Sequence, residues 1–152
     1  MATTAADPVF VDTNILVFAN TATAPFHAGA QAALRSHAAS GTELWISRQI
    51  LREYLATLSR PQTFTVPVPA ATLCADLARF QAEYRIAEDG PAVTGNLLIL
   101  LNSIVIGGKQ VHDANIVATM QTYGLRRLLT HNTADFARFG ALIRVEPLIT
   151  PP

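Results

Sequence analysis

The chain has 152 residues, of which 50% are hydrophobic and 14% are charged. This composition excludes an intrinsically disordered protein, and the length is enough for one domain with a substantial core. The formal net charge is zero, so no global basic field attracts a nucleic acid, and a polyanion would have to be held locally or through metal ions. The apolar composition favours a homodimer or a surface that a partner protein covers.

Three features of the sequence predict a cytoplasmic protein. Cys74 is the only cysteine, so an internal disulfide is excluded and a reducing compartment is favoured. The first ten residues lack the basic and apolar regions of a signal peptide. The longest apolar stretch, residues 97–106, is interrupted by Asn102 and Ser103 and is too short to cross a bilayer. We expect this stretch to be a buried helix of a soluble protein without a membrane segment.

The hydrophobic pattern predicts strands that alternate with helices along residues 9–145. In chain order we expect a strand at 9–11, a helix at about 25–39, a strand at 44–46 and a helix that Ser47 caps and Pro61 ends. A helix at about 70–83, a strand at 84–87 and a helix from Pro91 to Gly107 follow. A helix at about 112–123 and strands at 125–130 and 142–145 complete the core, and residues 150–152 are expected to be a loose tail. The alternation predicts an α/β fold with a mostly parallel sheet, in a single domain over residues 1–152.

Two acidic residues follow predicted strands. Asp12 comes directly after the first strand, and the carboxyl ends of parallel strands are where α/β folds bind their ligands. Asp135 follows the fourth strand, and both carboxylates should therefore lie at the same edge of the sheet. A structural interpretation stays open for each: Asp12 can cap the next helix, and Asn132 with Asp135 forms a variant of the capping box.

Two further acids lie on predicted helices. At about 100° per residue, Glu53 falls about 60° outside the apolar arc of its helix, so it either leans into a cleft or is a solvated flank residue. Asp113 shares a helix face with the apolar residues Ile116, Val117, Met120 and Tyr123. A charge on a buried face costs several kcal/mol unless it is paired or binds a metal, although the helix dipole favours an acid in the first turn and leaves a purely structural role open. Three or four carboxylates without matching cations favour a hard divalent ion such as Mg²⁺ or Mn²⁺.

The order of these residues resembles the PIN-domain nucleases, most closely the VapC-type toxins of toxin–antitoxin pairs. Four segments carry the resemblance, and it extends from about residue 9 to residue 145. The segments are Phe10-Val11-Asp12-Thr13-Asn14, Ser47-Arg48-Gln49-Ile50-Leu51-Arg52-Glu53-Tyr54, Val111-His112-Asp113-Ala114 and Leu129-Thr130-His131-Asn132-Thr133-Ala134-Asp135-Phe136.

The resemblance implies a three-layer PIN-like fold, with about five mostly parallel strands between helices. It also implies an endoribonuclease that hydrolyses RNA with metal-activated water, using Mg²⁺ or Mn²⁺, as the toxin of a type II pair with an antitoxin protein. By position, the catalytic and metal-binding acids would be Asp12, Glu53, Asp113 and Asp135. Residues that orient carboxylates or metal-bound water would be Asn14, Ser47, Thr130 and Asn132. Asn132 stands where many relatives carry Asp, which implies a weaker second metal site.

Four basic residues near these acids are candidates for contact with the substrate. Lys109 and His112 lie beside Asp113 in the sequence, and Arg48 and Arg52 lie on the helix of Glu53, away from its apolar arc. Each of them could contact an RNA phosphate, although an ordinary solvated residue is the simpler interpretation.

Other protein classes fit the sequence less well. A haloacid-dehalogenase-like phosphatase needs a second acid two residues after Asp12, and Asn14 stands there. A catalytically inactive PIN-like binding module would have no reason to keep a complete set of acids. A response-regulator receiver needs paired acids before its first strand and a late lysine, and Asp7 and Lys109 do not match that arrangement.

Overall fold

The computed structural model describes residues 6–148. The predicted tail at 150–152 lies outside the described residues, and so do the first five of the ten residues in which no signal peptide was predicted. Every predicted strand and helix has a counterpart, and two elements were not predicted. In chain order the elements are β1 (Val9–Val11), α1 (Thr13–Asn20), α2 (His27–Ala39), β2 (Leu44–Ser47), α3 (Arg48–Leu58), α4 (Ala70–Glu83), β3 (Arg85–Ala87), α5 (Pro91–Ser103), α6 (Gln110–Thr122), β4 (Arg127–Leu129), a 3₁₀ helix (Thr133–Phe139) and β5 (Arg144–Glu146).

The five strands form one sheet in the order β3-β2-β1-β4-β5, and every neighbouring pair is parallel. Phe10 of β1 pairs with Trp45 on one side and with Leu128 on the other. All three residues of β1 are fully buried, as expected for the central strand of a sheet that helices flank. The predicted α/β fold with about five parallel strands is confirmed.

The strand order decides where the site lies. Because the strands are parallel, the residues that follow β1, β2 and β4 all lie at the same edge of the sheet. Those residues are Asp12 after β1, the start of α3 after β2, and Thr130 after β4. β1 is the central strand, so Asp12 lies in the middle of that edge, where α/β sheets bind their ligands.

Helix α1 was not predicted. Five of its eight residues are buried, and they include the β-branched Ile15 and Val17. A helix covered on most of its surface shows no alternation of apolar and polar faces, and β-branched residues favour strands when the sequence is considered alone. Asp12 stabilises its start, because the carboxylate accepts a hydrogen bond of 2.8 Å from the backbone N–H of Thr13.

The prediction of a buried helix at residues 97–106 was wrong. Helix α5 ends at Ser103, and only Val93 and Leu100 of it are buried. Along the predicted segment Leu98 is 54% exposed, Ile99 is 62% exposed and Val105 is 95% exposed. Helix α5 packs mainly against α6, which covers one side and leaves the other apolar side open. A continuous apolar run therefore marked an uncovered surface here. In the part of the chain that the structure describes, no helix is both long enough and apolar enough to cross a membrane.

Candidate metal centre

A cavity of about 380 Å³ opens at the edge of the sheet where Asp12 lies. The residues that line it include the acids Asp12, Glu53 and Asp113 and the amide residue Asn132. Asp135 is exposed and does not line the cavity, but its charge is near enough to raise the pKa of Asp113. The fold thus brings three of the four predicted acids to one cavity and places the fourth nearby.

Asp12 is the most deeply buried of the four acids. The residue is 6% exposed, and burial is the main reason that its pKa is raised from 3.8 to about 6, with a smaller contribution from the charge of Glu53. Hydrogen bonds from Thr130, Thr13 and Asn14 act in the opposite direction and favour the ionised form. Asp12 can both cap α1 and take part in the site, because its two oxygens have different partners. One oxygen caps α1, and the other accepts from the side chains of Asn14 and Thr130.

Thr130 and Asn14 hold the second oxygen of Asp12. The Thr130 hydroxyl donates to Asp12 Oδ2 at 2.8 Å, and the amide of Asn14 donates to the same oxygen at 3.1 Å. The Thr130 hydroxyl in turn accepts from Asn14 Nδ2 at 3.2 Å and from the backbone N–H of Asn132 at 3.0 Å. The side-chain oxygen of Asn14 accepts from the backbone N–H of His131 at 2.9 Å. These bonds join the start of α1 to the loop after β4 and leave Asp12 little freedom to rotate.

The other two polar residues implied by the resemblance are placed differently. The Ser47 hydroxyl accepts a hydrogen bond of 3.4 Å from the backbone N–H of Ile50, so it caps α3 and bonds to none of the acids. Asn132 lines the cavity, yet its side chain makes no capping bond. The capping box that would have explained Asp135 is therefore not formed, and the segment after Asn132 is a 3₁₀ helix that was not predicted.

Two residues that the sequence did not single out hold Glu53. The Thr13 hydroxyl donates to one carboxylate oxygen at 2.6 Å, and the Gln49 amide donates to the other at 2.8 Å. Gln49 is 6% exposed, and its amide also donates to the backbone carbonyl of His112 at 2.9 Å. Gln49 lies one helical turn before Glu53, which is the spacing at which two side chains meet on a helix. This spacing from Glu53 could have identified Gln49 as a site residue from the sequence alone.

Gln49 also connects two helices that carry acids. Its side-chain oxygen accepts from Asn115 Nδ2 at 2.8 Å, so one buried amide on α3 binds both the backbone and a side chain of α6. Asp113 is in the first turn of α6, between these two contact points. Hydrogen bonds from Gln49 therefore connect the helix of Glu53 to the helix of Asp113.

Asp113 is half-buried, and no hydrogen bond to its side chain is found among the described residues. Its pKa is raised from 3.8 to about 6, first by burial and then by the charges of Asp12, Asp135 and Glu53, while His112 lowers it. The predicted apolar face around it is partly right. Ile116, Val117 and Met120 are buried, but Tyr123 is 37% exposed and lies just beyond the end of α6.

The described basic residues near the site form no ion pair with these acids. Among residues 6–148, no Lys, Arg or His nitrogen lies within 4.0 Å of a carboxylate oxygen of the four acids. Arg48 instead binds both oxygens of Glu88, at 3.0 and 2.8 Å, and Arg52 lies 3.8 Å from Asp89. Lys109 and His112 are exposed at the start of α6.

Arg60 lines the cavity, although the sequence did not predict it as a site residue. Its guanidinium donates to the backbone carbonyl of Ala56 at 3.0 Å, so it is anchored near the acids and still has other N–H groups to offer. It is the one cationic side chain among the residues that line the cavity.

The donor set fits a hard divalent cation. Every candidate ligand is a carboxylate oxygen, and Mg²⁺ and Mn²⁺ prefer oxygen. As placed, no three His, Cys, Asp or Glu side chains of the described residues converge into a group that could hold a metal. Mg²⁺ usually keeps several waters and binds through one or two carboxylates. Asp12 and Asp113 both line the cavity and both have raised pKa values, so they are the two carboxylates that would bind an ion in such an open site.

The electrostatics of the site predict the thermal stability of Asp113→Asn. A carboxylate whose folded-state pKa is raised stabilises the fold only while it is protonated, so this stability is lost as the pH rises from about 4 to about 6. In EDTA at pH 7.5, Asp113→Asn should therefore melt about 2–4 °C above wild type. This shift corresponds to ~1 kcal/mol in a domain of this size and allows for solvent screening of a half-exposed group.

Thermal melts at two pH values check this expectation. At pH 4 the difference should nearly vanish, because Asp113 is then protonated and resembles Asn. Mg²⁺ should raise the melting point of wild type more than that of the variant. A variant that melts below wild type in EDTA at pH 7.5 would mean that Asp113 stabilises the helix dipole and is not under repulsion.

Sequence comparison identifies no relative: no protein-family model matches the chain, and no curated protein matches it. Solved structures do match. A chain of the toxin–antitoxin complex from Klebsiella pneumoniae is 20% identical with a TM-score of 0.67, over 94% of this chain and 99% of that chain. A chain of VapBC2 from Rickettsia felis, solved bound to a DNA fragment from its promoter, is 21% identical with a TM-score of 0.64, over 91% and 97%.

A third match is VapC20 of Mycobacterium tuberculosis, described as a toxin that cleaves the sarcin–ricin loop. It is 20% identical with a TM-score of 0.60, over 79% of this chain and 86% of that chain. At identities this low, what the chains share is the fold. The chain has the fold of the VapC-type PIN toxins, as the resemblance of its four motifs predicted.

Proposed function

We propose that this chain is a single-domain, divalent-metal-dependent endoribonuclease that hydrolyses phosphodiester bonds of RNA. One observation carries the proposal: Asp12, Glu53 and Asp113 line one cavity, and no cationic side chain of the described residues is within 4.0 Å of their carboxylates. Neighbouring carboxylates that are not neutralised lower the stability of the fold, and such clusters are typical of functional sites. The fold shared with VapC-type toxins supports the same function.

Asp12 and Asp113 are the residues that we propose as the main ligands of Mg²⁺ or Mn²⁺, with Glu53 and Asp135 contributing through water or charge. When bound, the ion would activate water and neutralise charge that develops on the phosphate. The protein itself supplies orientation. Thr130 and Asn14 keep one Asp12 oxygen in place, while Thr13 and Gln49 keep Glu53 from rotating away.

Arg60 is the residue that we assign to the substrate phosphate. It lines the cavity with the acids, and a guanidinium binds phosphate oxygens well. Arg48 and Arg52, the arginines that the sequence suggested, are already bound to or near acidic residues at the surface. They remain candidates for contacts farther along the RNA.

The phosphatase alternative has no observation in its favour. Asn14 occupies the position of the required general acid, and its amide is engaged with Asp12, Thr130 and the backbone of His131. An amide in that network has no proton to give to a leaving group. An inactive binding module would not need the cavity or the paired rise in the pKa values of Asp12 and Asp113.

We further propose that the protein acts in the cytoplasm as the toxin of a type II pair, with an antitoxin and a second copy of itself as partners. The free, exposed Cys74 suits a reducing compartment. The open apolar side of α5, formed by Leu98, Ile99 and Leu101, suits a protein interface. Two of the similar structures are described as VapBC or toxin–antitoxin complexes. An antitoxin segment that projects a basic side chain at the acids would neutralise the site.

Cleavage assays test the enzymatic proposal. The purified protein should cleave RNA with Mg²⁺ or Mn²⁺ and should not cleave it in EDTA. Asp12→Asn and Asp113→Asn should abolish cleavage, because the ligand charge holds the ion. Thr130→Val, which removes one hydrogen bond to Asp12, should lower the rate by about 10- to 100-fold.

Asp7→Asn is the matched control, since Asp7 is exposed and precedes β1 at the opposite edge of the sheet. It should cleave at the wild-type rate. Cleavage that persists in EDTA and in both Asp12→Asn and Asp113→Asn would refute a metal-dependent nuclease with this site.

Co-expression tests the partners. Expressed alone, the chain should arrest growth or be poorly soluble. Co-expressed with the product of a short open reading frame beside its gene, it should purify as a complex whose mass, by light scattering, contains two copies of this chain and the antitoxin. Harmless, soluble expression of a monomer that binds no such product would contradict the toxin assignment.

A further inference from the structure

Three phenylalanines and a histidine form an aromatic cluster beside the acidic cavity. The ring of Phe26 lies 4.3 Å from the ring of His131, centre to centre, with 39° between the planes. Phe18 joins the cluster at 5.7 Å from Phe26 and 5.5 Å from His131, and Phe64 lies 6.4 Å from Phe18. We call the residues Phe18, Phe26, Phe64 and His131 the aromatic platform.

The platform continues the wall of the acidic cavity. Phe18 and Phe64 line the cavity together with Asp12 and Arg60. His131 follows Thr130 directly, and its backbone N–H donates to the Asn14 side chain that holds Asp12. A nucleobase that rests on the platform and a phosphate that is held at the acids could therefore belong to adjacent nucleotides of one strand.

Phe26 is unlike an ordinary core residue. The residue is 42% exposed, so burial does not account for a large apolar side chain here. Its backbone has φ of 60° and ψ of 14°, and it is the only residue other than glycine with a positive φ in the described part of the chain. Bulky residues rarely adopt this conformation, and such outliers cluster at functional sites. Glycine would fit this backbone without strain.

The charge balance explains why such a platform would be needed. The net charge is zero, and Arg48 is bound to Glu88. The protein as a whole therefore has no excess positive charge to supply the electrostatic affinity on which RNA binding usually depends. Base stacking on aromatic rings is a source of affinity that needs no net charge and tolerates any base, because every base has a flat face.

We propose that the aromatic platform stacks an unpaired nucleobase of the nucleotide next to the phosphate held at the acids, with Phe26 as its exposed ring. This inference rests on the proposed ribonuclease function and adds a requirement to it: the RNA is single-stranded or flipped out where it is cut. Phe18 and Phe64 line the same cavity as Asp12 and Arg60, and this adjacency favours a nucleotide over a protein side chain as the occupant.

Binding of a labelled RNA tests the platform apart from catalysis. The probe is a 5′-fluorescein, single-stranded RNA of 12 nucleotides and mixed sequence, measured by fluorescence anisotropy with Ca²⁺ in place of Mg²⁺. A gel confirms that the strand stays intact. Phe26→Ala and Phe26→Gly should each weaken binding by at least about fivefold, the lower end of what one stacked base contributes. Phe26→Trp should retain wild-type binding.

Two controls separate stacking from damage to the fold. Tyr123→Ala removes an aromatic ring of similar exposure that does not line the cavity, and binding should not change. Phe26→Gly should melt higher than Phe26→Ala, because both lack the ring and only alanine keeps a Cβ at positive φ. Equal loss of binding in these two variants would then reflect the missing ring and not stability.

Probes with one abasic nucleotide locate the stacked base. Binding should weaken when the abasic position is next to the phosphodiester that Mg²⁺-loaded wild type cleaves, and Phe26→Ala should lose this dependence. If Phe26→Ala binds RNA as tightly as wild type, the platform proposal is overturned, and a protein partner becomes the occupant of the exposed ring. The nuclease proposal is not affected by this outcome. Failure of wild type to bind the probe also overturns it. Binding that depends on Phe26 without any cleavage supports the platform and refutes the ribonuclease function.

Discussion

The arrangement of the site follows from the burial of one carboxylate at the end of the central strand. Asp12 is 6% exposed, and none of the described basic residues lies within 4.0 Å of it. A buried ion without a counter-ion is costly unless hydrogen bonds or a metal compensate. The protein compensates with the N–H of Thr13, the amide of Asn14 and the hydroxyl of Thr130. Each donor belongs to the start of α1 or to the loop after β4, so the strand order of the sheet is what makes the compensation possible.

The compensation is incomplete, and this incompleteness supports the proposed function. The pKa values of Asp12 and Asp113 are both raised to about 6, which means that the ionised forms are held at the expense of stability near neutral pH. A divalent cation would relieve both costs at once. The fold keeps the distance between the acids through Gln49, which binds Glu53, the backbone of His112 and Asn115. The same rigidity that stores the repulsion would keep the site ready for the ion.

The sequence alone predicted the parallel sheet and the acids that follow its strands, because strand ends and buried charges leave clear local patterns. It did not predict α1, since a helix buried on most sides shows no periodicity. The exposure of Leu98 and Ile99 was also missed, because an apolar run does not tell which neighbour covers it. The contacts of Gln49 and the position of Arg60 depend on how α3 meets other segments, and spacing along one helix cannot show that. The strained backbone of Phe26 left no trace in the sequence.

The release of protons on metal binding is the measurement that tests the central claim most directly. Because the pKa values of Asp12 and Asp113 are raised to about 6, both carboxyls are partly protonated near pH 6, and an ion that binds them displaces protons. Calorimetric titration with Mn²⁺ in two buffers of different ionisation enthalpy counts those protons. We expect the release of on the order of one proton per ion from wild type and clearly less from Asp113→Asn. Binding of Mn²⁺ to wild type without any proton release would contradict the account.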